Sequence, residues 1–174
     1  MNTSGHVIAI VGGATAGAEA AATFTRCGIA CVVFDQNPRP YGKTEDGLPR
    51  WHTKPRQKEY AAIQGKLDHD SIHFVPSTKI GRDVGLRELT DDWGFSAVVL
   101  AHGAWRDRPL PVDGADAYVD KGLVYQNSFV IAFNHAGLGD LEDPSYTVHD
   151  GALIVGGGLA SIDVAKIHTL ELTI

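Results

Sequence analysis

The sequence predicts an α/β fold built on a parallel sheet, and three features predict it. A continuous apolar, β-branched run, His6-Val-Ile-Ala-Ile-Val11, is followed at once by glycines and an Ala-rich, proline-free segment. A second run of the same kind, Ile29-Ala-Cys-Val-Val-Phe34, comes next. The strand-glycine-helix succession then begins again at Ala152. Strands that are apolar at every position, not only at alternate ones, are those buried on both faces of a parallel sheet.

The elements follow in order. His6 to Val11 reads as the first strand, ended by Gly12, and Ala16 to Cys27 as a helix with Gly28 where a helix C-terminal glycine belongs. With Ile29 to Phe34 they make a β-α-β unit. Asp35 to Arg56 is polar, punctuated by proline and too long for a tight connection, which marks a functional loop. From Pro55 to Leu67, Tyr60, Ile63 and Leu67 share one helical face. Short strands are predicted at Ile72 to Val75 and Thr78 to Ile80, a helical turn or two at Leu86 to Asp92, and a buried strand at Phe95 to Ala101. Arg108 to Val112 leaves the sheet. Ala152 to Val155 is predicted as a strand and Ile162 to Leu172 as a helix. Two domains are expected, 1–110 and 111–174, the second being a linker and the start of another nucleotide-binding unit, with the fold incomplete at its C-terminal end.

Composition narrows the function. With 44% hydrophobic residues in 174, the chain can bury one core and part of a second. Its net charge of -6 is spread without a basic stripe, which argues against nucleic acid as a partner. The longest apolar runs, 95–101 and 152–155, are too short to cross a bilayer, so no membrane partner is expected. The apolar N-terminus has no Lys or Arg before it and carries Glu19 inside it, unlike a signal peptide, and a cytoplasmic location is expected. Cys27 and Cys31 are spaced neither as a redox pair nor as metal ligands and are read as buried free thiols. None of the eight histidines pairs with another ligand at helical or finger spacing, and no metal is assigned.

The chemistry lies in the glycine turns. Gly12-Gly13-Ala14-Thr15-Ala16-Gly17 fills a G-x-G-x-x-G frame with Ala14 in the middle glycine's place. In that frame the first glycine permits the tight turn, the middle one lets backbone approach a pyrophosphate, and the last lets helix and strand pack closely. The helix start then offers N–H groups and partial positive charge to phosphates. Asp35 ends the second strand 18 residues after Gly17, where a carboxylate accepts hydrogen bonds from ribose hydroxyls. Plain turn glycines with Asp35 as a strand-end cap are the alternative. A second frame, Gly156-Gly157-Gly158-Leu159-Ala160-Ser161, starts 144 residues after the first and ends in serine, a replacement associated with NADP rather than NAD. Two such units point to two dinucleotides that exchange electrons.

Taken together, the Gly12 to Gly17 turn, Asp35, Tyr41-Gly42, Gly47-Leu48-Pro49-Arg50-Trp51, the run Ala97 to Gly103 and the turn at 156–161 resemble one family along nearly the whole chain. It is the FAD-dependent pyridine nucleotide oxidoreductases of the adrenodoxin reductase and glutamate synthase small-subunit type. The resemblance implies a three-layer, Rossmann-like FAD/NAD(P)-binding fold with a parallel sheet. It implies that Gly12, Ala14, Thr15, Ala16 and Gly17 contact the FAD pyrophosphate, that Asp35 binds its ribose, and that Gly42, Gly47, Leu48 and Arg50 pass along the flavin. Lys43 to Asp46 look like extra residues within that last segment. Ile80 falls where the family's backbone holds adenine, and Ala101, His102 and Gly103 match an Ala-Thr-Gly strand end. His102 departs from the threonine, and structural, flavin-facing or no role stays open for it. Trp51 either stacks near the flavin or closes the core. Gly156, Gly158, Leu159, Ala160 and Ser161 would hold NADP or NAD.

The implied activity is hydride transfer from NAD(P)H to FAD, with electrons passing on to an acceptor such as a ferredoxin or another iron-sulfur protein. Cofactors carry such a reaction, so no side-chain acid or base is named. The absence of a CxxC argues against a dithiol relay. A catalytically silent nucleotide-binding or partner-docking module of the same fold is the alternative. An exposed sheet edge would favour a homo-oligomer.

Overall fold

The structure, a computed structural model, describes residues 5–136 and 148–173. Residues 1–4 of the first predicted domain, and 137–147 and 174 of the second, lie outside the described residues. The chain divides into two compact units. The first comprises Met1–Glu45 and His52–Gly103, the second Asp46–Trp51 and Ala104–Ile174. The second thus takes in a short segment from inside the first.

In the first unit, β1 (Val7–Val11), α1 (Thr15–Arg26), β2 (Ala30–Phe34), α3 (Thr53–Leu67), β3 (Ile72–Val75), α4 (Leu86–Asp91) and β4 (Ala97–Leu100) occur in that order; the four-residue α2 (Lys43–Asp46) follows β2 in the chain, its last residue falling to the second unit. The strands form one parallel sheet of order β3-β2-β1-β4. Its two faces are covered, giving three layers. Ile8, Ile10, Cys31 and Val33 meet Ala21, Phe24 and Leu67 on one face. Ala9, Val11 and Phe34 meet Leu89, Val84 and Phe95 on the other. Consecutive β1 residues are therefore buried on opposite sides, which is why that run carries no polar position. Each fully buried Ile or Phe contributes about 2 kcal/mol.

Gly28 takes φ +76° just past α1, as a C-terminal glycine does. Pro55 sits at the third residue of α3, within the first turn, where its missing N–H leaves no bond unmade. Thr78 to Ile80 is not a strand. Ile80 instead makes one isolated bridge to Val84, because residues 77 and 78 turn back to hydrogen-bond residues 37 and 35. Cys31 is buried but Cys27, at the C-cap of α1, is exposed, which corrects the reading of both thiols as buried.

The second unit carries a 3-10 turn at Ala115–Tyr118, α5 (Gln126–His135) and α6 (Leu159–Thr173). Phe129, Val130 and Phe133 of α5 pack with Ile167 and Val164 of α6, and Trp51 closes this cluster against Phe133 at a ring separation of 5.2 Å. Of the two roles left open for Trp51, the structure shows core closure. The predicted strand at 152–155 is not formed. Leu153 is 87% and Val155 70% exposed, and no strand among the described residues lies beside them to complete a hydrogen-bond ladder.

Candidate functional site

In the first unit the chain runs from β1 to β2 to β3 on one side and returns to the opposite side of β1 as β4. The carboxyl ends of β1 and β4 therefore border the switch point, where parallel α/β sheets bind ligands. Gly12 follows β1 there, with φ +102°, and its N–H donates to the Phe34 carbonyl (2.7 Å). A Cβ on Gly12 would stand 2.5 Å from the Ala101 carbonyl oxygen, so the tips of β1 and β4 approach too closely for any side chain. A Cβ on Gly17 would overlap the Gly12 carbonyl oxygen, so only glycine lets α1 start this close to β1.

Helix α1 starts with no side-chain cap and no acidic residue in its first turn. The backbone of Thr15, Ala16 and Gly17 thus presents the helix's positive end without a competing carboxylate of its own. The Thr15 hydroxyl is engaged elsewhere, donating to Glu59 Oε1 (2.6 Å).

Asp35 is 5% exposed, and its carboxylate orders the surrounding backbone. Oδ2 accepts from the Gly13 N–H (2.8 Å) and Oδ1 from the Asn37 N–H (2.9 Å). Each carboxylate oxygen can accept more than one bond, so these contacts are compatible with a ribose. The Asp35 carbonyl accepts from the Thr78 N–H (2.7 Å), stitching the segment that leads to Ile80 beside it. Ile80 turns its side chain into the core.

Gly13 is a residue sequence reasoning passed over. It bonds Asp35, and a Cβ there would fall 2.8 Å from Pro40 Cβ and 3.2 Å from the Phe74 ring. The doubled glycine was the available signal. Gly42, at φ +50°, lies against Ala14, and a Cβ on it would sit 2.9 Å from Ala14 Cβ. The methyl in the middle glycine's place is thus accommodated by a glycine opposite. Tyr41 is fixed beside it, stacked on Tyr60 at 3.9 Å and receiving a bond from Gln64 Nε2 (2.5 Å). Burial pushes the Tyr60 hydroxyl's pKa up.

The first unit therefore brings Gly12, Ala14, Thr15, Ala16, Gly17, Asp35 and Ala101 to one end of the sheet. His102 and Gly103 follow β4 directly, and His102 Nδ1 lies 2.9 Å from the Gly103 carbonyl. Gly47, Leu48 and Arg50 belong to the second unit, where α5 holds Leu48 and Arg50 by hydrogen bonds. The glycines at 156–158 form a turn into α6, with Ser161 and Ile162 N–H donating to the Gly158 carbonyl (3.0 and 3.3 Å). Gly156 has φ +141°, and the Ser161 hydroxyl stands 2.5 Å from where its Cβ would be. This turn, with Leu159 and Ala160, is exposed, and residues 152–155 just before it form no strand.

A glycine turn at the switch point of a parallel sheet, with a buried carboxylate ending the next strand, defines a dinucleotide-binding α/β protein. The chain belongs to the pyridine nucleotide-disulphide oxidoreductase family, whose model matches residues 6–171. It is a family that binds FAD and NADP(H). The chain is 32% identical to the cindoxin reductase of Citrobacter braakii over 168 residues, 92% of this chain and 34% of that protein. It is 29% identical to the glutamate synthase [NADPH] small chain of Escherichia coli over 174 residues, 95% of this chain and 34% of that protein. It spans about a third of the length of these curated relatives. Mycobacterium tuberculosis FprA in complex with NADPH shares the fold, with TM-score 0.67 and 24% identity over 75% of this chain and 29% of that one. No helix among the described residues is long and apolar enough to cross a membrane.

Proposed function

We propose that the chain is the flavin-nucleotide-binding portion of a cytoplasmic NAD(P)H-dependent flavoprotein oxidoreductase. The observation that carries this reading is the Gly12–Gly17 turn, closed so tightly that no Cβ fits at Gly12 or Gly17, beside the buried Asp35. These residues fit FAD: the α1 first turn receives the pyrophosphate through backbone N–H groups, Asp35 the ribose, and the Ile80 backbone the adenine. Gly42, Ala101, His102 and Gly103, and from the second unit Gly47, Leu48 and Arg50, are the remaining proposed FAD contacts. Gly156, Gly158, Leu159, Ala160 and Ser161 are proposed for NADP or NAD. Bound FAD supplies the acceptor for a hydride from the nicotinamide. The chain's residues bind and orient, and the acceptor that would take the electrons is of the kind of a ferredoxin or another iron-sulfur protein.

A second reading, a nucleotide-binding module without turnover, is favoured by the unpaired run Ala152 to Val155 ahead of the second turn. A visible spectrum of the purified chain reconstituted with FAD, before and after NADPH without oxygen, separates the two. A flavin band that NADPH bleaches is the result the oxidoreductase reading predicts. A band that persists means that FAD is held but not reduced by this stretch of chain, and no band after excess FAD overturns both.

A further inference from the structure

Asn134, near the end of α5, is 6% exposed, and every amide hydrogen and one oxygen lone pair of its side chain are spent on one short stretch of chain. Its Oδ1 accepts from the Arg50 N–H (2.8 Å), and its Nδ2 donates to the carbonyls of Asp46 (2.9 Å) and Leu48 (3.0 Å). The neighbouring α5 residues reinforce the grip. His135 Nε2 lies 3.0 Å from Asp46 Oδ1, and the Arg50 guanidinium lies 4.5 Å above the Phe133 ring and donates to the Ala136 carbonyl (3.2 Å). One side chain thus holds a backbone group of each alternate residue, 46, 48 and 50, in a stretch without regular structure of its own beyond Asp46.

We infer that Asn134 is a positioning residue for the flavin, fixing the shape of the Asp46–Trp51 segment whose Gly47, Leu48 and Arg50 are assigned to FAD. This rests on the proposed function for that assignment, while the clasp itself stands on the hydrogen bonds above. A residue that merely stabilised α5 would not need to address three peptide groups some 86 positions earlier in the chain. Asn127 gives the contrast. It is the other buried asparagine of α5, and its side chain donates to the Trp105 carbonyl instead, while its backbone N–H donates to Asp107.

The full chain is compared as wild type, Asn134→Ala, the isosteric Asn134→Asp, and Asn127→Ala. Backbone hydrogen exchange is read without flavin, and FAD affinity and band shape are read by titration. Loss of the Arg50 bond in Asn134→Ala should speed exchange at the Arg50 amide about tenfold, with Gly13 unchanged. Asn134→Asp keeps that acceptor and turns an oxygen on the two carbonyls, so it should protect Arg50 yet weaken FAD about tenfold and alter the band. Asn127→Ala should do neither. Arg50 exchange unmoved by Asn134→Ala, or FAD affinity and spectrum unmoved in both Asn134 variants, overturns the inference. A wild-type chain that takes up no FAD overturns the reading beneath it, and the flavin-free contrast at Arg50 tells the two failures apart.

Discussion

The two glycine turns are alike in sequence pattern and different in structure. Gly12 to Gly17 follows a strand paired on both sides, with Ala9 and Ile10 fully buried. Gly156 to Ser161 follows an extended run whose Leu153 is 87% exposed. In the first turn, added Cβ atoms collide with the Gly12 and Ala101 backbone; at Gly157 and Gly158 they meet nothing within 4 Å. The spacing of glycines therefore encodes the bend, and neighbouring strands make the bend into a cradle.

The largest expected effect sharpens this contrast. Gly17→Ala forces a methyl against the Gly12 carbonyl and should cost about 3 kcal/mol or more, whereas Gly158→Ala, in open space, should be neutral within about 0.5 kcal/mol. Thermal denaturation of both variants checks it, and equal losses would break the comparison. Next, Asp35→Ala strands the buried Gly13 N–H and should cost about 2 kcal/mol, with a parallel loss of FAD affinity. Urea titration and flavin fluorescence read the two quantities.

Smaller effects test the first unit's packing. Cys27 is exposed, whereas burial of Cys31 pushes its thiol pKa up. Iodoacetamide on the native protein should label Cys27 first and Cys31 only on unfolding, as peptide mass analysis would show. The smallest effect is at the 79–84 turn, where Asp83 accepts from Arg82 and from the Lys79 N–H and its pKa is held down to about 2. A depressed carboxylate stabilises above its unfolded value, so the contribution is present from about pH 4 upward and fades as pH falls towards 2. Comparing acid titrations of wild type and Asp83→Asn should show a slight difference confined to that window.

The first unit was legible because its signals are local and mutually consistent. A fully apolar run, tandem glycines, an Ala-rich helix and Asp35 at fixed spacing each constrain the next. The run Ala152 to Val155 has the same apolar composition, yet a parallel strand depends on partners that its own residues cannot supply. Helix α5 went unassigned because Asn127 and Asn134 interrupt its apolar face, and they do so because each serves a distant carbonyl. The four polar residues of α2 likewise gave no period to read. Asn134 had no sequence signal at all, since its partners lie in a segment that looked like part of an open loop.

The most direct test of the central claim sets Ala16→Glu against Ala160→Glu. Both positions are exposed, and both lie in the first turn of a helix where a carboxylate favours folding. A like charge facing the pyrophosphate should weaken FAD binding about a hundredfold in Ala16→Glu and leave it unchanged in Ala160→Glu, with both proteins folded. Unchanged FAD binding in Ala16→Glu, or its loss in Ala160→Glu, would contradict the assignment of the flavin nucleotide to the first turn.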